Sequence, residues 1–332
     1  MFYDGYWFEG SMASSVLYML AAVFTVTGNL LVFVTFIKDP YGQLRKRRNC
    51  FLVNLAISDI LMGAFVIPLL AIAFWAKAED LLFAHYIIAV VSGSSSLLNL
   101  TALSIIRYYA LKDPFGYESL ITYKRAILGV IGIWLQSIHL ALLPVLGWTS
   151  PSYQLYLYGV GFTLPSVFIF LAYYGVFRRM RKYTRGIVAT VSKTDLAKRS
   201  AYYIDNDDGT KSHVQSTQSV RIRKAVEREK RVTKTLVIVM SVFVLSWLPM
   251  LFLDVLLVQF PSCRSWSQIH LARDISLTLT YFSSGINPIL YTLRIRQFRV
   301  AVLKLIRVAS ADFSNSSFNQ QGPKRVAKTS TV

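Results

Sequence analysis

CFLVNLAISDILMGAFVIPLLAIAFW, residues 50–75, carries a single charged side chain, Asp59, in a run long enough to cross a hydrocarbon core of about 30 Å as one helix. Working outward from it, six more runs of this kind are read at Val16 to Ile37, Phe83 to Arg107, Ala126 to Trp148, Tyr156 to Phe177, Thr235 to Phe260 and His270 to Leu293. The expected fold is an all-α membrane protein, a seven-transmembrane helix bundle over residues 14–293. Composition agrees. With 54% hydrophobic and 16% charged residues the chain is no disordered protein and fits poorly with a soluble globule. The net charge of +19 would suit a nucleic-acid binder, but the bases lie between long apolar runs, so no nucleic-acid partner is expected. Two cysteines, Cys50 and Cys263, exclude a disulfide scaffold.

Charge distribution orients the bundle. Of the 36 Lys and Arg, all but Lys77, Arg264 and Arg273 fall in the first, third and fifth loops, at the Arg107 helix end, and in the tail. By the positive-inside rule those segments are cytoplasmic. Residues 1–13 are then an extracellular amino terminus without a cleavable signal, and 307–332 a disordered cytoplasmic tail. The long polar stretch 183–228 reads as a flexible cytoplasmic loop whose basic ends continue the fifth and sixth helices. Its charge serves equally as a solvated, lipid-attracting run or as a docking surface.

Several residues do not belong in lipid. Asp59 lies nine residues inside Cys50, about 13 Å along a helix, near the middle of the bilayer. A carboxylate there needs partners. Asn29, Ser96, Ser283, Ser284 and Asn287 are the candidates, and both a hydrogen-bonded structural carboxylate and a sodium site fit. Pro249 beside Trp247, together with Pro165 and Pro288, removes backbone hydrogen bonds within three spans and hints at a moving bundle. Arg107 and Glu229 stand at the cytoplasmic ends of the third and sixth spans, either as a bridge between helices or as a snorkelling arginine.

Taken in order, these landmarks resemble the rhodopsin-like (class A) G-protein-coupled receptors. The carriers are Gly28-Asn29, Leu55-Ala56-Ile57-Ser58-Asp59, Ile106-Arg107-Tyr108, Trp134, Pro165 with Tyr173, Phe243-x-x-x-Trp247-x-Pro249 and Asn287-Pro288-Ile289-Leu290-Tyr291. The resemblance implies a plasma-membrane receptor that passes an extracellular signal to heterotrimeric G proteins by outward movement of the sixth helix. It makes Trp247 a toggle beneath the ligand, with Phe243 coupling it to that movement. Asp59, Ser96 and Asn287 match a sodium pocket, the one bound ion expected and no other cofactor. Arg107, Tyr108, Tyr173, Pro288 and Tyr291 belong to the coupling machinery, with Glu229 restraining Arg107 at rest. Residues 294–306, with Ile295, Phe298, Val302 and Leu305 on one face, are expected to form an amphipathic helix on the membrane surface.

Departures from the family pattern bear on function. No cysteine stands at the outer end of the third span or in the second extracellular loop, so the usual tether is missing. Together with Pro144-x-x-Gly147-Trp148, this loosely resembles the melanocortin, adenosine, cannabinoid and lysophospholipid branch. The third-span position that amine receptors fill with a carboxylate is Ala89, and the position of an opsin's lysine is Tyr281, so neither reading is favoured. The pocket is projected onto Ala89, Val90, Gly93, Trp247, Met250, Leu251, Asp254, Leu277 and Tyr281, a mostly apolar wall for a lipid, nucleoside or peptide before an amine. Asp254 is either a ligand contact or a solvated helix end paired with Arg273. Ile106 replaces the aspartate next to the arginine, which suggests ligand-independent signalling unless apolar packing of Ile106 compensates.

No enzyme motif is present. An ion-coupled transporter using Asp59 is the alternative, weakened by the lack of a visible inverted repeat. Arrestin recruitment is expected through Ser310, Ser314, Ser316 and Ser317. Ser330-Thr331-Val332 fits the pattern that a PDZ scaffold captures. Membrane lipids complete the expected partners.

Overall fold

The computed structural model describes residues 12–42, 44, 45, 47–113, 116, 119, 121–201, 234, 237–257, 259, 260, 262, 263, 266–294 and 298–308. Each of the seven apolar runs lies on a helix. Helix α1 is Met12–Lys38, α2 is Cys50–Ala76, α3 is Glu79–Lys112, and α4 is Tyr123–Val145. Helix α5 is one rod built from Pro151–Tyr156, Leu157–Thr163 and Leu164–Ala201; α6 is Val237–Leu257 and α7 is Ser267–Arg294. A further helix, α8, covers 298–308. Six of these are long and apolar enough to cross a membrane by composition alone. Helix α7 is long enough but more polar, because Ser276, Thr280, Ser283, Ser284 and Asn287 line its inner face and are buried.

Polarity is inverted relative to a water-soluble protein. Leu20, Val23, Leu128, Leu135, Phe170, Leu245, Phe252 and Leu271 are exposed, whereas Asn54, Ser58, Asp59, Ser95, Ser96, Asn99 and Ser104 are buried. Hydrocarbon outside makes the apolar surface free of cost, and helices satisfy their own backbone there. Polar side chains then gain by turning inward and bonding to one another. The central element is α3, which packs on α2, α4 and α5, while α1 packs on α7. A buried chain of hydrogen bonds pins the α2–α3–α4 joint. Trp134 Nε1 donates to Asn54 Oδ1 at 2.9 Å, Asn54 Nδ2 to Asn99 Oδ1 at 3.0 Å, and Ser95 Oγ to Ser58 Oγ at 2.7 Å.

Two apolar clusters lie along the bundle. One joins Leu55, Leu97, Leu100, Val176, Val239, Met240, Phe243 and Phe298; the other joins Tyr18, Met62, Val66, Ile67, Phe74, Leu277 and Tyr281. Trp247 packs against both.

Prolines shape two helices in the same way. Met62–Val66 and Leu157–Thr163 are π-helical turns, each ending two residues before a proline, Pro68 and Pro165. A proline lacks the N–H that would close the preceding turn and its ring crowds the carbonyl four residues back. Widening by one residue removes the conflict without breaking the helix.

Some boundaries differ from the sequence-based reading. Helix α5 starts at Pro151 rather than Tyr156, and Trp148 lies in the connection after α4 rather than in the span. There it clasps the start of α5: its Nε1 lies 3.0 Å from both Ser150 Oγ and Ser152 Oγ, and its ring packs on Tyr153 and Tyr156 with centroids 6.0 and 5.4 Å away. Helix α5 runs on to Ala201, so the first part of 183–228 is helical rather than loop. In α8, Phe298, Ala301 and Val302 are buried, and Lys304 Nζ donates to Pro40 O at 3.4 Å and lies 4.5 Å from the Tyr41 ring centre. Glu229, Ile295, the serines of the tail and Ser330-Thr331-Val332 lie outside the described residues.

Candidate functional site: an outer cavity above a buried carboxylate

A cavity of 240 Å³ opens between α2, α3, α5, α6 and α7. All nine residues projected for a pocket, Ala89, Val90, Gly93, Trp247, Met250, Leu251, Asp254, Leu277 and Tyr281, line it. The two π-helical turns shape it from opposite sides, since Met62 on α2 and Leu157, Tyr158, Gly161 and Phe162 on α5 belong to its wall. Reading the prolines only as kinks missed these wall residues. The signal was present in Pro68 and Pro165, but the number of residues a turn absorbs is decided by packing.

The floor is Trp247. Its ring stacks on Phe243 with centroids 5.6 Å apart and planes 26° from parallel. On α3 the indole lies directly over Gly93, where an added Cβ would stand 2.6 Å from Trp247 Cη2. Only glycine admits the ring there, so a residue with no side chain sets the position of a large one. Pro249 follows in the next half turn of α6, and Thr280 Oγ1 on α7 donates at 3.0 Å to Ser246 O beside this break. Such a hydrogen bond from a neighbouring helix satisfies a carbonyl next to the proline.

At the mouth, Asp254 is engaged on both oxygens. Tyr158 OH donates to Oδ2 at 2.9 Å, and Arg273 Nε lies 3.8 Å from Oδ1. The side chains of Arg273 and Asp254 are 12% and 20% exposed, so of the two readings of Asp254 the pairing with Arg273 is present and a fully solvated helix end is not. His85, on α3, bonds through Nδ1 to Val66 O at 2.9 Å. Tyr86 OH donates to Tyr153 OH at 3.4 Å, and Tyr153 OH to Leu140 O at 3.0 Å. Trp247 Nε1 and Gln154 Oε1, on residues of the wall, are buried without a hydrogen-bond partner in the protein.

Asp59 is fully buried. Ser96 Oγ donates to its Oδ1 at 3.2 Å and Asn287 Nδ2 to its Oδ2 at 2.8 Å. Asn29, another candidate partner, bonds instead to Ser284 O at 3.1 Å and Thr25 O at 2.9 Å, which leaves its buried Oδ1 unpaired. Ser283 donates to Thr280 O. Asp59 meets a serine hydroxyl and an amide nitrogen, both donating to it, so a hard cation would find here one carboxylate and the Ser96 hydroxyl oxygen, with Asn287 turned to present its oxygen.

Toward the other end of α3, Arg107 is buried. Ile106 packs against the inner apolar cluster. Tyr108 packs over Gly175 of α5, with Arg179 5.3 Å from its ring centre. Tyr173 is buried, and Ser104 Oγ donates to Met240 Sδ of α6 at 3.1 Å. Pro288 is buried against Gly28, where an added Cβ would stand 3.1 Å from its Cγ. The Tyr291 side chain lies outside the described residues.

Residues 28–291 match the family model described as 7 transmembrane receptor (rhodopsin family). The chain is 30% identical over 316 residues to the alpha-1D adrenergic receptor of Sus scrofa, covering 85% of this chain and 54% of that receptor. It is 26% identical to the octopamine receptor beta-2R of Chilo suppressalis over 93% of this chain and 85% of that one. It thus spans about half the length of the adrenergic relatives it matches. In fold it is similar to the crystal structure of squid rhodopsin, with a TM-score of 0.75, 21% identity, and coverage of 92% of this chain and 90% of that one. These relatives carry the names of amine receptors rather than of the branch suggested by the short loops.

Proposed function

This chain belongs to the rhodopsin family of seven-transmembrane receptors, a family of multi-pass membrane proteins, and on that premise we propose that it is a plasma-membrane receptor for an extracellular ligand. Its amino terminus lies outside, and it activates heterotrimeric G proteins and then engages arrestin on the cytoplasmic side. The observation that carries this reading is the position of Trp247. It is the floor of the outer cavity and packs against both apolar clusters, so a molecule entering the cavity bears on the side chain that joins the outer core to the inner one. Phe243, stacked beneath it, and Met240 one turn further along α6 belong to the inner cluster. Displacing Trp247 loosens that packing, and Pro249 is the point about which the inner half of α6 swings away from α3. The swing opens the inner face around Arg107, Tyr108 and Tyr173 to a G-protein segment.

Asp59 fits a sodium ion in the resting arrangement, held by its carboxylate and by Ser96 and Asn287. Bound there, the ion would neutralise the buried carboxylate and favour the packed state of α2, α3 and α7, because a ligand that prefers one conformation shifts the population toward it. A transporter role for Asp59 has no support from the relatives. Nor does the cavity reproduce the amine reading that the relatives' names suggest, since Ala89 leaves α3 without an acid.

Nucleotide exchange on a panel of purified heterotrimeric G proteins tests the reading. The chain in lipid nanodiscs raises exchange on at least one of them above the receptor-free rate, and Arg107→Ala abolishes the gain. Exchange at the receptor-free rate on every G protein, with and without candidate ligands, contradicts it.

A further inference from the structure

We infer that the outer cavity takes a small α-amino acid with an apolar or aromatic side chain, its ammonium group on Asp254 and its carboxylate on Arg273. The inference rests on the receptor reading above and names the ligand class of that same cavity.

The charges of the wall are the first observation. Asp254 on α6 and Arg273 on α7 both line the cavity, and among its described residues they are the one acid and the one Lys or Arg. Their side chains are 20% and 12% exposed, so both are within reach of a molecule entering at the mouth. Arg273 Nε stands 3.8 Å from Asp254 Oδ1, close enough for attraction and beyond the roughly 2.7–3.2 Å of a hydrogen bond. Tyr158 OH holds the other carboxylate oxygen at 2.9 Å and fixes the acid from α5.

A ligand with a single charge gains little at such a pair. A cation that takes Asp254 strands Arg273, and an anion on Arg273 strands Asp254; either leaves an uncompensated charge in a largely dehydrated place. An α-amino acid carries its ammonium and its carboxylate on one carbon. Entering between the two side chains, it gives each a new partner and leaves no charge alone. A ligand with the same two charges several carbons apart has to fold its chain back to reach both members.

The apolar part of the cavity continues from that pair. Leu251 precedes Asp254 by three residues on α6 and Leu277 follows Arg273 by four on α7, so each lies on the same helix face one turn nearer the floor at Trp247. Helix α3 adds Ala89, Val90 and Gly93. A side chain directed inward from the charged head therefore meets carbon from three helices. The cavity of 240 Å³ lies below the roughly 300–1,000 Å³ of pockets for drug-sized molecules, which suits one amino acid before a peptide.

Thermal unfolding of the purified full chain with millimolar probes tests this. Phenylalanine, phenethylamine and 3-phenylpropanoate share one ring and chain length and carry both charges, the ammonium alone and the carboxylate alone. Norleucine and 6-aminohexanoate are isomers that differ in the separation of their charges. Phenylalanine or norleucine, whichever side chain fits, is expected to raise the melting temperature by several degrees, and the other three probes to leave it unchanged. Arg273→Gln moves the preference to phenethylamine, and Asp254→Asn moves it to 3-phenylpropanoate. A pair that only fastened α6 to α7 would lower the melting temperature in both variants and leave the ranking of the probes as it was. No shift with either α-amino acid, an equal shift with any of the other three probes, or an unchanged ranking in both variants overturns the inference. The wild-type comparison needs no variant to fold. G-protein nucleotide exchange with the same probes separates the two claims. Stabilisation by an α-amino acid with no exchange on any G protein removes the receptor reading and leaves the ligand class standing. Ligand-free exchange that needs Arg107, with no stabilisation by either α-amino acid, does the reverse.

Discussion

The outer cavity and the Asp59 site share α2, α3 and α7, yet they treat polar groups in opposite ways. Around Asp59 the partners converge, and both carboxylate oxygens take hydrogen bonds from other helices. Around the cavity the polar groups are paired off at the edges, Asp254 with Tyr158 and Arg273, and His85 with Val66 O. A converging network holds helices together, whereas an open one leaves a place to be filled. Trp247 lies between the two regions, touching both apolar clusters.

The largest effect that sharpens this contrast is expected at Asp59. Asp59→Leu leaves Asn287 Nδ2 and Ser96 Oγ without their acceptor in a buried site, at about 1–3 kcal/mol for each orphaned donor. A large fall in melting temperature follows. Asp59→Asn keeps one acceptor oxygen, falls much less, and loses any stabilisation by sodium. An equal and small effect of both substitutions would make the inner site as slack as the cavity.

Next comes Gly93 beneath the toggle. Gly93→Ala places a methyl group against the Trp247 ring, an overpacking that costs about 1–3 kcal/mol. Gly132 on α4 has nothing within 4 Å of an added Cβ, so Gly132→Ala is expected to be neutral or to stabilise by about 0.5–1 kcal/mol through helix propensity. Paired thermal melts check the difference. If the two behave alike, Trp247 is not wedged on α3.

A smaller effect is expected for Thr280→Val, which deletes the hydroxyl that α7 lends to Ser246 O beside Pro249. Loss of about 1 kcal/mol of restraint on α6 raises ligand-free nucleotide exchange several-fold while ligand-driven exchange is retained. Unchanged basal exchange would show that this bond does not hold α6.

The smallest expected effect is at Ile106. Its side chain packs on the inner apolar cluster, so part of the restraint lost with the family's aspartate is recovered by packing. Ile106→Asp adds a carboxylate beside Arg107 and removes that packing. A net fall in basal exchange of less than about fivefold is expected, since about 1.4 kcal/mol is tenfold, such a pair is worth about 0–1 kcal/mol, and the lost packing offsets part of it. Measurement at matched surface expression decides it, and basal exchange equal to wild type means that Ile106 already does the aspartate's work.

Much of this arrangement was legible in the sequence because its causes are local. Long apolar runs give spans, and an isolated carboxylate such as Asp59 in a span must find partners, of which Ser96 and Asn287 were among those anticipated. Helix α7 was legible as the run His270 to Leu293, and the Asn287-Pro288 motif marks it independently although its buried inner face is polar. The parts that were not legible depend on contacts between elements. The π-helical turns follow from how Pro68 and Pro165 are accommodated against neighbouring helices. The Trp148 clasp needs Ser150, Ser152, Tyr153 and Tyr156 brought together by the start of α5. Gln154 was missed because a glutamine in the first turns of a span reads as an ordinary helix end, and only the closed wall around it shows that its oxygen is unpaired.

Movement of α6 against α3 tests the central claim most directly. Lys112 and Lys234 are exposed, at the end of α3 and just before α6, and spin labels there, with Cys50 and Cys263 changed to serine, report the distance between the two helices. The account predicts two populations, with the longer distance increased by nucleotide-free G protein and reduced by sodium in a chain that retains Asp59. A single distance, unchanged by G protein and by sodium, would contradict it.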